Sequence, residues 1–250
     1  MINTEGKLKM KGTLVNAAAV IAGGILGLLL RRGIKESFQK SMNKALGASV
    51  SVIGINGVIS SMASVKEGKL STSGELLLVV SLVFGTLLGE IVGIDDGLNK
   101  LSRMIERKLS ANDFAVGFMN ATVMFCVGAM AIIGALNDGL AGDSSTLYVK
   151  SALDFASAAV LSSTLGEGVI FSFVPLLLYQ GSISIFAKYL SSVLQGELLN
   201  QVCAVGYTVI ICIGINFLSE EKIKTANMLP AILMPVVYAG LKAVASVIKF

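Results

Sequence analysis

The chain has 250 residues, no His, no Trp, three Cys and a formal net charge of +4. Its hydrophobic fraction is 54% against 14% charged residues, where a soluble domain carries about 25% charged, so disorder, a fibrous repeat and an ordinary soluble domain are excluded. Without His, Ser-His-Asp and Cys-His catalysis and most zinc and haem centres fall away, and the modest charge gives no ground for a nucleic-acid partner.

Residues 12–30, 45–65, 114–137, 168–187 and 198–219 contain no Asp, Glu, Lys or Arg. About 20 helical residues cross roughly 30 Å of hydrocarbon, so these runs read as membrane spans. They are continuous rather than alternating, which favours helices over a barrel. The expected architecture is an all-α polytopic transmembrane bundle of about eight spans. In chain order the spans are 12–30, 45–65, 76–94, 114–137, 150–165, 168–187, 198–219 and 225–241. The fifth, with Lys150, Asp154 and several Ser, is the most polar; if it is re-entrant, seven spans remain. Residues 1–11 read as a polar tail and 12–250 as a single transmembrane domain. Lys7, Lys9 and Lys11 precede the first run, but that run is longer than the h-region of a cleavable signal.

Two connectors have helical periodicity. Ile34, Phe38, Met42 and Ala45 are interleaved with Lys35, Glu36, Lys40 and Lys44; Leu98, Leu101, Ile105 and Leu109 are surrounded by Lys100, Arg103, Arg107 and Lys108. Both read as amphipathic elbows at the membrane surface. Residues 31–44 and 95–110 together hold nine Lys and Arg. The positive-inside rule therefore puts both in the cytoplasm and the N-terminus outside. Single Cys probes placed in them, in a background lacking Cys126, Cys203 and Cys212, should resist impermeant thiol reagents in intact cells. Ready labelling of both would reverse the orientation.

A weak internal repeat is visible. Ile53-Gly54-Ile55-Asn56 in the second span matches Ile213-Gly214-Ile215-Asn216 in the seventh. Gly85-Thr86-Leu87-Leu88-Gly89-Glu90 echoes Ser163-Thr164-Leu165-Gly166-Glu167. With eight spans, the second and seventh cross in opposite directions, the arrangement of inverted-repeat transporters. That relation predicts Asn56 and Asn216 at similar depth; an old duplication kept for packing is the other reading.

Several segments together resemble a known family. They are Gly12-Thr13-Leu14-Val15-Asn16, Ala45-Leu46-Gly47, the stretch from Val127-Gly128-Ala129-Met130-Ala131 to Asp138-Gly139-Leu140-Ala141-Gly142-Asp143, Lys150-Ser151-Ala152-Leu153-Asp154, and Pro175-Leu176-Leu177-Leu178-Tyr179-Gln180-Gly181. The chain resembles the bacterial YdfK/YqgA-like multi-pass membrane proteins, domain of unknown function 554. The resemblance implies a bacterial cytoplasmic (inner) membrane location and supplies no substrate.

Polar groups within spans are costly and rank first as functional candidates. Lys150 and Asp154 stand one helical turn apart on one face; they line a path or form a structural pair. Glu90 and Glu167 each follow a Gly near a span end and read either as pathway carboxylates or as interfacial ones. Asn56, Asn120, Asn216 and Gln180 are intramembrane amides, as is Asn16. Pro175, Pro230 and Pro235 are expected to free backbone carbonyls within spans. Asp138 and Asp143 read as the ends of a solvated turn, ahead of an oxygen-rich cation loop. Gly23 with Gly27, and Gly85 with Gly89, are small-residue packing motifs. No metal, cofactor or catalytic residue is expected. The leading expectation is a transporter or channel for a small solute or ion; a non-transporting scaffold or assembly partner is the alternative. An enzyme is not expected, because the connectors leave no room for a soluble catalytic domain. The expected partners are the lipid bilayer and a small solute or ion, with homo-oligomerisation an option through the small-residue motifs.

Overall fold

The computed structural model describes residues 10–31, 36–66, 68–97, 99–100, 114–127, 129–191 and 193–248. Helices dominate: α1 Lys11–Arg31, α2 Glu36–Met62, α3 Glu75–Val92, α4 Phe114–Cys126, α5 Ala129–Ala141, α6 Ser145–Leu165, α7 Gly168–Phe171, α8 Phe173–Ile185, α9 Ala187–Leu190, α10 Gly196–Leu218 and α11 Met234–Ile248. A 3₁₀ helix, Thr225–Leu233, leads into α11. Among the described residues, six helical segments rather than the expected eight are long and apolar enough to cross a membrane, or seven if the bent pair α4–α5 counts as one span, and the polar α6 is not among them. The chain is thus an all-α polytopic membrane protein.

On α1 and α6 the outer face is apolar and the buried face is rich in small and polar residues. On α1, Leu14, Val15, Ile25, Leu26, Leu29 and Leu30 are exposed, while Gly12, Thr13, Asn16, Ala17, Val20, Gly23, Gly24 and Gly27 are buried. On α6, Val149, Leu153, Phe155 and Val160 are exposed, while Leu147, Lys150, Ser151, Asp154, Ala158, Leu161 and Ser162 are buried. Lipid solvates large apolar side chains as well as a protein core does, so helix contacts rest on close backbone approach and polar links.

The chain forms two compact units: residues 1–45 with 98–194, and residues 46–97 with 195–250. In the first, α1 and α6 pack along their lengths. Gly12 meets Leu147, Gly23 meets Ala158, and Gly27 meets Ser162, so the two helices run parallel. A Cβ at Gly23 would fall on the Phe155 carbonyl, and one at Gly27 on the Ala159 carbonyl. Gly23 and Gly27 thus stand where the backbones of α1 and α6 approach most closely. The polar fifth segment is a complete helix of 21 residues, about 30 Å at 1.5 Å per residue, not a short stretch starting at Lys150.

In the second unit, Gly47 meets Phe217 and Gly214, Gly54 meets Ile211, and Gly57 meets Tyr207. These contacts make α2 and α10 antiparallel. Gly85 meets Ala231 and Gly89 meets Asn227, so α3 is likewise antiparallel to the 3₁₀ helix. Asn56 and Asn216 are not level, however. An antiparallel crossing levels equivalent positions only at its centre, here near Val52 and Cys212. The two Asn lie to either side of it, about 12 Å apart by helical rise.

Other boundaries are corrected by local physics. The second span ends at Met62, and Ala63–Lys66 pairs antiparallel with Lys69–Thr72 as β1 and β2. Gly68 turns this hairpin at φ 73°, in the left-handed region open to glycine, and Ser64 and Ser71 share a cross-strand hydrogen bond of 3.2 Å. The first elbow is not separate from Glu36 onward, where its residues continue into α2. The second elbow lies largely outside the described residues. The fourth span is two helices bent by 62°. Pro175 stands in the first turn of α8 and Pro235 in the first turn of α11, where no ladder bond is lost. Pro230 lies inside the 3₁₀ helix.

Candidate functional site

The buried face of α6 repeats every three to four residues through Leu147, Lys150, Ser151, Asp154, Ala158, Leu161 and Ser162. That period aims both charges inward, towards α1. Lys150 Nζ donates to Asp154 Oδ1 at 2.9 Å and to Oδ2 at 2.7 Å. Each residue is 6% exposed. Asn16 of α1 adds a third hydrogen bond, its Nδ2 donating to Asp154 Oδ2 at 3.0 Å. The same Nδ2 donates to Gln180 Oε1 of α8 at 3.3 Å. Asn16 and Gln180 are fully buried. Lys150, Asp154, Asn16 and Gln180 thus form one connected cluster on three helices of the first unit.

The hydrogen-bond capacity of the cluster is not exhausted. Asn16 Oδ1, Gln180 Nε2 and Thr13 Oγ1 are buried without a hydrogen-bond partner among the described residues. Thr13 stands one turn before Asn16 on α1. An unpaired buried polar group costs about 1–3 kcal/mol, and the Asn16 and Gln180 atoms belong to the same cluster as the ion pair.

Asp138 is fully buried rather than solvated. Its Oδ2 accepts the main-chain N–H groups of Gly12 at 3.0 Å and Thr13 at 3.4 Å, and its Oδ1 accepts Ser144 Oγ at 2.8 Å. A carboxylate on α5 therefore caps the positive N-terminus of α1. Asp143 is the exposed member of the pair, accepting the Ser145 N–H at 3.0 Å at the start of α6. Asp138→Asn should lower unfolding stability by about 1–2 kcal/mol, the scale of a lost cap, measured by thermal unfolding in detergent. An unchanged stability would mean that the cap contributes nothing.

The remaining candidates sit elsewhere. Asn120 is buried on α4, and Glu167 is half-buried in the turn before α7. In the second unit, Asn56 is exposed on α2. Asn216 closes the loop after α10: its Nδ2 donates to Ile223 O at 2.8 Å, and its Oδ1 accepts the Ile223 N–H at 2.7 Å. Glu90 pairs with Lys224 at 3.4 Å, both side chains being about half-exposed, and it accepts a hydrogen bond from Asn227. An exposed pair of this kind contributes about 0–1 kcal/mol. Asn227 Oδ1 also accepts the Asp95 N–H at 2.8 Å. Asn227 and Asp138 were not legible as partners, because each serves main-chain groups that are distant in sequence.

The chain matches the family described as "Protein of unknown function (DUF554)" over residues 11–239. It is 34% identical over 226 residues to the uncharacterized membrane protein YdfK of Bacillus subtilis (strain 168), covering 90% of this chain and 94% of that one. It is 30% identical over 230 residues to the uncharacterized protein YqgA of Escherichia coli (strain K12), covering 89% and 93%. No solved structure gives a significant match. The matched range takes in both halves of the polar cluster, Asn16 on α1 and Lys150, Asp154 and Gln180 on α6 and α8, and the chain belongs to the DUF554 family of membrane proteins.

Proposed function

We propose that this protein carries a small solute or ion across the bacterial cytoplasmic membrane, with the Lys150–Asp154–Asn16–Gln180 cluster on its pathway. The observation that supports this reading is the burial of two opposite charges and two amides against one another within α1, α6 and α8. Charged groups inside a bilayer are costly and are retained where they serve a path or a relay. Helix α6 packs along α1, its charges turned inward and its apolar face outward. Catalysis is not part of the proposal: the chain has no His, and the cluster holds no nucleophile with an adjacent base.

Proteoliposomes holding the purified protein test the reading. Stopped-flow light scattering reads net entry of neutral solutes, and capacitive current on a supported membrane reads ions. The proposal expects at least one amino acid, polyol or alkali salt to move faster than through protein-free vesicles, and expects Lys150→Met combined with Asp154→Asn to abolish that flux. Permeation equal to that of protein-free vesicles for every probe would favour a scaffold instead.

A further inference from the structure

The cluster presents four kinds of handle. Lys150 brings a positive charge, Asp154 a negative one, Gln180 Nε2 an unused donor and Asn16 Oδ1 an unused acceptor. The amide orientations are not arbitrary. Asp154 accepts from Asn16, so the Asn16 amide must turn its NH₂ towards the carboxylate. That NH₂ also meets Gln180, so Gln180 must turn its carbonyl to Asn16. The Asp154 charge therefore fixes which atoms are left over: a carbonyl oxygen on α1 and an NH₂ on α8.

The handles come in complementary pairs and the cluster is electrically neutral. A solute that draws Lys150 from Asp154 must leave neither charge bare, because breaking a buried pair costs about 3–5 kcal/mol. A simple cation at Asp154 strands the Lys150 ammonium, and a simple anion at Lys150 strands the Asp154 carboxylate. An uncharged hydroxyl compound offers neither charge a counter-ion. A solute with one positive and one negative group keeps both paired: its ammonium takes Asp154 and the Asn16 Oδ1 acceptor, and its carboxylate takes Lys150 and the Gln180 Nε2 donor.

Resting on the transport reading, we infer that the Lys150–Asp154–Asn16–Gln180 cluster binds a small zwitterion of the α-amino-acid class by exchanging its internal ion pair for two pairs with the solute. No charged side chain on α4 or α8 competes for these groups, since Phe114–Cys126 and Phe173–Ile185 contain no Asp, Glu, Lys or Arg. On α1, Lys11 and Arg31 stand at the two ends. On α5, Asp138 is engaged with Gly12, Thr13 and Ser144.

Thermal unfolding of the detergent-purified full chain tests this. The probes are each standard amino acid, with sodium acetate and methylammonium chloride as analogues bearing one charge each. A ligand of the folded state raises the melting temperature by mass action. At least one uncharged-side-chain amino acid should raise it dose-dependently, and the one-charge analogues should not. The shift should vanish in Lys150→Met combined with Asp154→Asn, which removes both charges and leaves neither unpaired. Gln180→Leu should weaken binding by roughly tenfold, the scale of one hydrogen bond to a charged group. The inference is overturned if no amino acid shifts the melting temperature, if acetate or methylammonium does so equally, or if the shift survives in the double variant. An Asp154-dependent current carried by a simple ion, without any zwitterion effect, would overturn the solute class and leave the transport reading standing.

Discussion

Asp154→Asn is expected to destabilise the purified protein by about 3–5 kcal/mol, and Lys150→Met added to it should restore most of that loss. The reason is the geometry of the pair. Both carboxylate oxygens accept from Lys150 at 2.7–2.9 Å, and both residues are 6% exposed. Replacing Asp154 alone strands an ammonium inside the bundle. Replacing both leaves a thioether and an amide of similar size, and the introduced amide still offers Asn16 a carbonyl oxygen. Thermal unfolding of the two single variants and the double variant closes the cycle. Additive losses, with the double variant the least stable, would show that the two charges do not pair.

Gly89→Leu is expected to have the second large effect. A Cβ at Gly89 would fall on the Asn227 carbonyl, and one at Gly85 on the Ala231 backbone. Backbone atoms cannot turn aside as a side chain can, so α3 and the 3₁₀ helix must separate. Separation would also strain the Asn227 links to Glu90 and the Asp95 amide. Overpacking of this kind costs about 1–3 kcal/mol or more, and loss of folded protein on gel filtration is the expected readout. Gly240→Ala is the control: a Cβ there meets nothing within 4 Å, and the change favours the helix by up to about 1 kcal/mol. Equal behaviour of the two variants would contradict the close-packing account.

The all-α polytopic class was legible because a run without charges has one physical explanation in a chain this apolar, but the count of eight was not, since the fourth run breaks into two bent helices and the polar fifth is not apolar enough to count. The packing glycines were legible for a related reason: Gly23 with Gly27 and Gly85 with Gly89 mark faces where backbones meet. The Lys150–Asp154 pair was legible as one turn of helix, but its partners were not. Nothing in the spacing of Asn16 and Gln180 shows that α1 and α8 deliver them to one cluster, with Asn16 reaching Asp154 across 138 residues of chain and Gln180 across 164. The β1–β2 hairpin was hidden because Ala63-Ser64-Val65 continues an apolar run, and only the turn at Gly68 ends it. Matched tetrapeptides suggested level Asn56 and Asn216. The register of α2 against α10 decides depth, and register is a property of packing. Asn216 instead satisfies the Ile223 main chain at the end of α10.

The central claim is that the buried pair serves transport and not stability alone. The most direct measurement compares flux through proteoliposomes holding wild type with flux through those holding Lys150→Met combined with Asp154→Asn, at matched amounts of folded protein. The double variant keeps the fold without an unpaired charge, so lost flux reports on the path itself. The account predicts a double variant as stable as wild type to within about 1 kcal/mol that no longer moves the solute carried by wild type. A double variant that is equally stable and carries that solute at the wild-type rate would contradict it.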